Sequence, residues 1–496
     1  MTGVLLRHAR IAPQGPLQDV LVAGGRIARV GEVDDHTGVV EVLDVEGRYV
    51  LPGLWDRHVH FEQWAQVRAR LPLADAESAS AAARLVAMHI GTRPRATDGP
   101  VVGYGFRDAL WPDAPGRETL DAQSGEVPVV LISADLHSVW LNTAALRRYG
   151  YANDATGLLR EDAAMSVIAA VGNVAESVTD ACCVDATRAA AARGLVGIVD
   201  MERPWSLDTW RRRIAGGNRR LRVISAVWPE HLDDAIARRL HTGDIVDGTD
   251  GLLSVGPLKV ITDGSLNTRT AFCHDPYHAV TGAAAEERGV LLVDLDELSR
   301  LMVRANDSGF DCAVHAIGDA ANSMVIQAFA RTGARGSVEH AQLLDDSDVP
   351  RFAQLALIAS VQPEHALDER DVADHYWAGR TARAFPLRSL LDAGAVLTLG
   401  SDAPVAPLDP WVAIAAAVHR SRDERPRWHP EQEITTADAL AASMPPGRGS
   451  LTLGEGDIAD LMVLDGDPFT ADARALRTMP VVATMVSGNW THRVGV

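Results

Sequence analysis

GLWDRHVHF (53–61), GLVGIVDME (194–202), RVISAVW (222–228), SVGPLKVIT (254–262), DCAVHAI (311–317), GSVEHAQ (336–342), LIASVQP (357–363) and VLTLGSD (396–402) are eight short, nearly unbroken apolar runs. Runs apolar on both faces are what parallel strands look like when helices cover both sides of the sheet. Amphipathic stretches separate them. In DLDELSRLMVRANDSG, Leu298, Leu301, Met302 and Ala305 recur at i, i+3, i+4 and i+7. Asp294 with Glu297 resembles a capping box there, and Gly309 lies just past the end. Eight strand–helix units are the count of a (β/α)8 TIM barrel, so the expected class is α/β.

Roughly 130 residues separate His60 from the second run, far more than any later gap. That segment has its own strand-like pieces, GPVVGYGF and VPVVLISADLH, and helix-like pieces such as SASAAARLVAMHI. It reads as a subdomain, about residues 65–190, inserted after the first barrel strand. A loop leaving that end of a barrel belongs to its catalytic face. Both chain ends instead alternate apolar and polar residues around tight turns, as in DVLVAGGRIARVGEV and PVVATMVSGNWTHR. Residues 1–52 and 440–496 are therefore expected to form a small β-sandwich, with separate surface hairpins as the alternative, and 53–439 the barrel.

The chain has 496 residues and a formal net charge of -19 without a basic block. Phosphate neutralisation needs clustered Lys and Arg, so neither nucleic acid nor an anionic membrane is an expected partner. No apolar run is long enough to span a bilayer, and MTGVLLRHAR lacks the pattern of a secretory signal. The four cysteines, Cys182, Cys183, Cys273 and Cys312, include no CxxC, which argues against a disulfide framework or a cysteine zinc site. A cytoplasmic protein acting on a small molecule is expected. The chain leaves its oligomeric state open, with a homodimer the commonest soluble assembly.

His58 and His60 are two apart on the first run, so both imidazoles point to one face and can share a metal; structural or surface histidines are the alternative. Lys259 ends the fourth run, His315 the fifth, His340 the sixth and Asp402 the eighth. Barrel enzymes place their chemistry at this C-terminal end of the strands. Lys259 is also the only lysine among 47 basic residues. Its alternative role is an ion pair with an acid such as Asp263. Cys312, three residues before His315, points to the opposite face and suits core packing. Trp55 suits barrel packing.

PGLWDRHVHF, LKVITDGSLNTRTA, CAVHAIGDAAN, VEHAQ and GSDAPV resemble the metal-dependent amidohydrolase superfamily, in the branch (amidohydrolase family 3) that includes N-substituted formamide deformylases. The resemblance spans essentially the whole chain. It implies a divalent metal centre, most often zinc, in which His58 and His60 bind the more buried ion and His315 and His340 the more exposed one. Lys259 would bridge them as an N6-carboxylated carbamate, and Asp402 would be ligand and general base. An unmodified ammonium has no lone pair for a metal. Arginine could not be converted in this way, because guanidinium stays protonated. The implied activity is metal-assisted hydrolysis of a non-peptide C–N bond, in an amide or N-formyl compound. A deaminase or an ester or lactone hydrolase on the same centre is one alternative, and a non-catalytic metal-binding protein on this fold is another.

Substrate-binding candidates follow from the same strings. His137, Trp140 and Asn142 lie in DLHSVWLNTAAL, and Tyr104 and Trp111 in GYGFRDALWPDAPGRETLD. The aromatics suit an apolar pocket wall, with a subdomain core as the alternative. Arg269 suits a carbonyl or carboxylate oxygen, against a surface salt bridge. In VQPEHALD, with Glu364 and Asp368 beside it, His365 is placed to donate a hydrogen bond to the intermediate.

Overall fold

The structure, a computed structural model, describes all residues except 1–2, 34–40, 93–98, 107, 109–110, 134–137, 173, 279–286, 449 and 496. Each of the eight apolar runs forms a strand of one parallel sheet. In order these are Leu54–Val59, Leu195–Asp200, Arg222–Val227, Leu253–Ile261, Cys312–Ala316, Gly336–His340, Ile358–Val361 and Val396–Leu399. Neighbours in the chain are neighbours in the sheet, and a parallel bridge between Val59 and Ala403 joins the first strand to the segment after the eighth. The result is a (β/α)8 barrel. Helices cover it for the reason the periodicity predicts. In Leu295–Asp307, Leu298, Met302 and Ala305 are buried, and Asp294 caps the helix by accepting the Glu297 N–H at 2.8 Å.

The first strand is not regular. Asp56 pairs with Ile198 but Val59 with Asp200, so the first strand spends one residue more than its partner. Such a bulge re-aims side chains locally. The strand is pinned there by Asp56, whose carboxylate accepts the backbone N–H groups of His58 and Ser401. Trp55 packs inside, where it fills the space a side chain at Gly197 would need.

The two chain ends form a β-sandwich. One antiparallel-rich sheet holds Val4–Ala9, Gln18–Ala23, Arg26–Gly31 and Glu41–Asp44; the other holds Tyr49–Pro52 with Leu461–Leu464, Val481–Val486 and Asn489–Arg493. Leu6, Val20, Val22 and Ile27 share one core with Leu461, Val463, Ala483 and Met485. That joint core excludes separate surface hairpins.

Chain contacts divide the molecule into two compact units, one of Met1–Phe61 with Thr187–Val496 and one of Glu62–Ala186. The second unit is built on a five-stranded sheet in the order Leu158–Arg160, Ser138–Leu141, Val129–Ser133, Val101–Phe106, Leu71–Pro72. Alternation along its strands serves two cores: Leu131 and Trp140 face one, Val130, Ile132, Val139 and Leu141 the other. No single helix among the described residues is long and apolar enough to cross a membrane.

Candidate metal centre

The strand ends bring His58, His60, Lys259, His315, His340 and Asp402 to one region. His58 Nε2 lies 3.6 Å and His60 Nε2 3.5 Å from Asp402 Oδ1. Ring centroids are 5.0 Å apart for His58 and His340 and 4.4 Å for His315 and His340. The approach of the first and eighth strands is set by backbone bonds, Asp402 N–H to His58 carbonyl at 2.7 Å and His60 N–H to Ala403 carbonyl at 2.9 Å. Asp402 and His340 both have positive φ, 55° and 73°. Non-glycine residues adopt this left-handed conformation rarely, and it recurs where a strand end must turn a side chain inward.

Two sets of potential donors converge, His58, His60 and Asp402, and His340, His365 and Asp402, each with its ligand atoms within 4.8 Å of one another. Burial pushes the pKa of His58 and His340 well below the ordinary histidine value and that of His60 and His365 to about 4. The imidazoles are thus neutral at pH 7 and carry a lone pair. His60 Nδ1, His340 Nδ1, His365 Nε2 and Lys259 Nζ are buried without a hydrogen-bond partner among the described residues. Nearly all buried polar groups in native proteins are satisfied. Neutral imidazoles grouped around a carboxylate are a donor set that fits a divalent ion of the zinc, manganese, iron or cobalt kind.

Burial also raises the Asp402 carboxyl to about 7, against the lowering effect of Lys259. Lys259 is fully buried, and desolvation lowers its pKa while Glu339 and Asp402 raise it. The alternative partner for Lys259 is excluded. Asp263 accepts the backbone N–H groups of Phe272, Ile317 and Gly318, and faces His315 Nε2 at 3.4 Å, so its lone pairs serve the loop and the imidazole.

The second-tier candidates fare differently. His365, on the helix Pro363–Asp368, lies with its ring nearly parallel to His340 at 6.2 Å. Arg269 is exposed; its guanidinium stacks on Tyr376 at 5.4 Å and donates to the phenol oxygen at 3.3 Å. Trp111 is taken up in the core of the Glu62–Ala186 unit: its ring lies against Phe106 and Trp140, and its indole N–H donates to the Ala76 carbonyl at 2.9 Å. Trp140 is sealed there too, donating to the Gly116 carbonyl. Asn142 caps the helix Thr143–Arg148, accepts from Val129 and Ala145 N–H, and donates to Ser124 and the Val127 carbonyl. Tyr104 is half-buried and packs on the opposite face of the same sheet. His137 lies outside the described residues. Cys312 is fully buried, as core packing requires.

Three acids were not anticipated from the sequence. Glu339 Oε2 stands 2.6 Å from His58 Nδ1. Asp56 ties the first strand to Ser401. Glu369 accepts from Gln342 and Asn267 and is raised to about 7 by burial. The available signal was a charged residue inside an apolar run, as in VEHAQ and GLWDRHVHF.

An eight-stranded parallel barrel that gathers imidazoles and carboxylates at its strand ends is the architecture of a metal-dependent hydrolase. Residues 41–492 match the model of the amidohydrolase family, and the chain belongs to that family. It is 28% identical to Protein LONG AFTER FAR-RED 3 of Arabidopsis thaliana, over 94% of this chain and 87% of that one. It is 27% identical to an N-substituted formamide deformylase of Arthrobacter pascens, over 95% and 94%. Its fold resembles that of a metal-dependent hydrolase from Pyrococcus horikoshii with a TM-score of 0.77 at 22% identity, covering 95% of this chain and 99% of that one.

Proposed function

We propose that the chain hydrolyses a non-peptide C–N bond, in an amide or N-formyl compound, at a binuclear divalent-metal centre with zinc as the first candidate ion. The observation that carries this reading is Lys259. The chain's single lysine stands at the end of the fourth barrel strand, fully buried, with Nζ unpartnered among the described residues. A buried ammonium without a partner is costly, and beside two cations it would be more so. N6-carboxylation turns it into an anion able to stand between two ions, which arginine cannot become.

In this reading His58, His60 and Asp402 would hold one ion and His315 and His340 the other, with carboxylated Lys259 between them. When bound, such ions supply Lewis-acid polarisation of a carbonyl and acidify a water. Asp402 then accepts the water's proton and passes it to the leaving nitrogen, a task suited to a carboxyl whose affinity for protons burial has raised. His365 is buried beside Asp402 and, as the tautomer protonated on Nε2, would donate to the substrate oxygen. No serine or cysteine nucleophile is needed; Cys312 is sealed in the core.

Similarity to a formamide deformylase over nearly the whole chain supports the N-formyl reading. The test is a panel of amides, N-formyl compounds, N-acyl amino acids, lactones and aminated heterocycles offered to zinc-loaded protein. Turnover of amides or N-formyl compounds is expected. Turnover of lactones or heterocyclic amines alone would favour the ester or deaminase alternatives, and a protein that binds zinc yet turns over nothing would favour the non-catalytic one.

A further inference from the structure

Glu339 is the charged residue of VEHAQ that the chemistry above leaves unused. It lies on the sixth strand next to His340, and its side chain and that of His58 are 2% and 1% exposed. Its Oε2 is 2.6 Å from His58 Nδ1, and its Oε1 accepts from the Ser337 hydroxyl. Arg57 lines the same cavity of about 200 Å³, one bounded by residues of all eight strands, and supplies the opposite charge. The carboxylate is therefore held on both oxygens and aimed at one nitrogen.

A carboxylate accepts hydrogen bonds and cannot donate them. A neutral imidazole has one N–H, which must sit on Nδ1 to meet Glu339. The lone pair is then left on Nε2, the nitrogen that faces Asp402 Oδ1. We propose that Glu339 is a positioning residue that fixes the tautomer and ring orientation of His58 for the ion held with His60 and Asp402. This rests on the metal-centre reading above. It also makes one strand end serve both donor sets, since His340 follows Glu339 directly.

Buried carboxylates behind metal-bound imidazoles typically change metal affinity by roughly 10- to 100-fold. The test is zinc affinity by competition with a chromophoric chelator for wild type, Glu339→Gln and Glu339→Asp, with thermal unfolding of each chelated protein measured alongside. Both variants should bind one ion roughly 10- to 100-fold more weakly while unfolding near the wild-type temperature. Unchanged affinity in Glu339→Gln would overturn the assignment. So would weaker binding that appears only with a matching drop in unfolding temperature, because Glu339 would then support the strand and not the imidazole. Should Glu339→Gln fail to fold, Glu339→Asp decides alone, since it keeps the charge but withdraws the oxygen from Nδ1. A wild type that takes up no zinc would sink the metal-centre reading itself, an outcome distinct from wild type and variant binding alike.

Discussion

At the barrel's strand ends, His60 Nδ1, His340 Nδ1, His365 Nε2 and Lys259 Nζ are buried and unpartnered among the described residues, whereas in the Glu62–Ala186 unit the polar atoms of Trp111, Trp140 and Asn142 all find partners. Both regions offer aromatic and polar side chains that the sequence marks as candidates. Only the first leaves bonding capacity to spare. Orphaned atoms occur elsewhere too, as at Trp55 Nε1 and Trp377 Nε1, but among the described residues three of them belong to imidazoles grouped around Asp402 at the strand ends. A satisfied side chain belongs to the fold; a converging set of unsatisfied ones awaits a ligand.

That contrast can be broken by mutation. Asp402→Asn should keep bound metal but lose about 10²- to 10⁴-fold in kcat, measured with any substrate the panel yields, because the proton acceptor is gone. Metal lost along with activity would make Asp402 a ligand first and a base second. Lys259→Arg should bind at most one ion by elemental analysis, since guanidinium cannot be carboxylated. Two ions and a near-normal rate in that variant would defeat the bridging role.

Glu369 gives a smaller effect with a defined sign. Its carboxyl is raised from 4.5 to about 7 by burial, so between those values the unfolded chain loses a proton the folded chain keeps. Stability then falls as pH rises through that window, by up to about 3 kcal/mol at roughly 1.4 kcal/mol per unit. Chelated Glu369→Gln should therefore gain stability relative to wild type between pH 5 and pH 8 in denaturant titrations. A constant difference across that range would show that Glu369 is ionised in the fold. Smallest is Trp111→Phe, which removes the bond to Ala76 and should cost about 1 kcal/mol with KM unchanged. A raised KM at unchanged stability would make Trp111 a pocket wall after all and blur the contrast.

Much of the site is legible in the sequence because strand geometry makes it so. Alternation puts His58 and His60 on one face, and the end of each apolar run is where Lys259, His315, His340 and Asp402 must stand. Lys259 is marked twice, by its position and by being the only lysine. Glu339 and Asp56 escape such reasoning. They sit inside runs where periodicity predicts burial, and their purpose depends on partners 281 and 345 residues away. The bulge that re-aims the first strand has no local signature, and Trp111 could be assigned to a core only once Phe106, Trp140 and Ala76 were known to surround it.

The decisive measurement follows bound zinc and C–N bond hydrolysis in one sample through chelation and restoration. Close to two ions per chain are expected, with activity on an amide or N-formyl substrate that falls as they are removed and recovers when zinc or manganese is returned. Hydrolysis that persists in fully chelated protein would contradict the metal-centre reading.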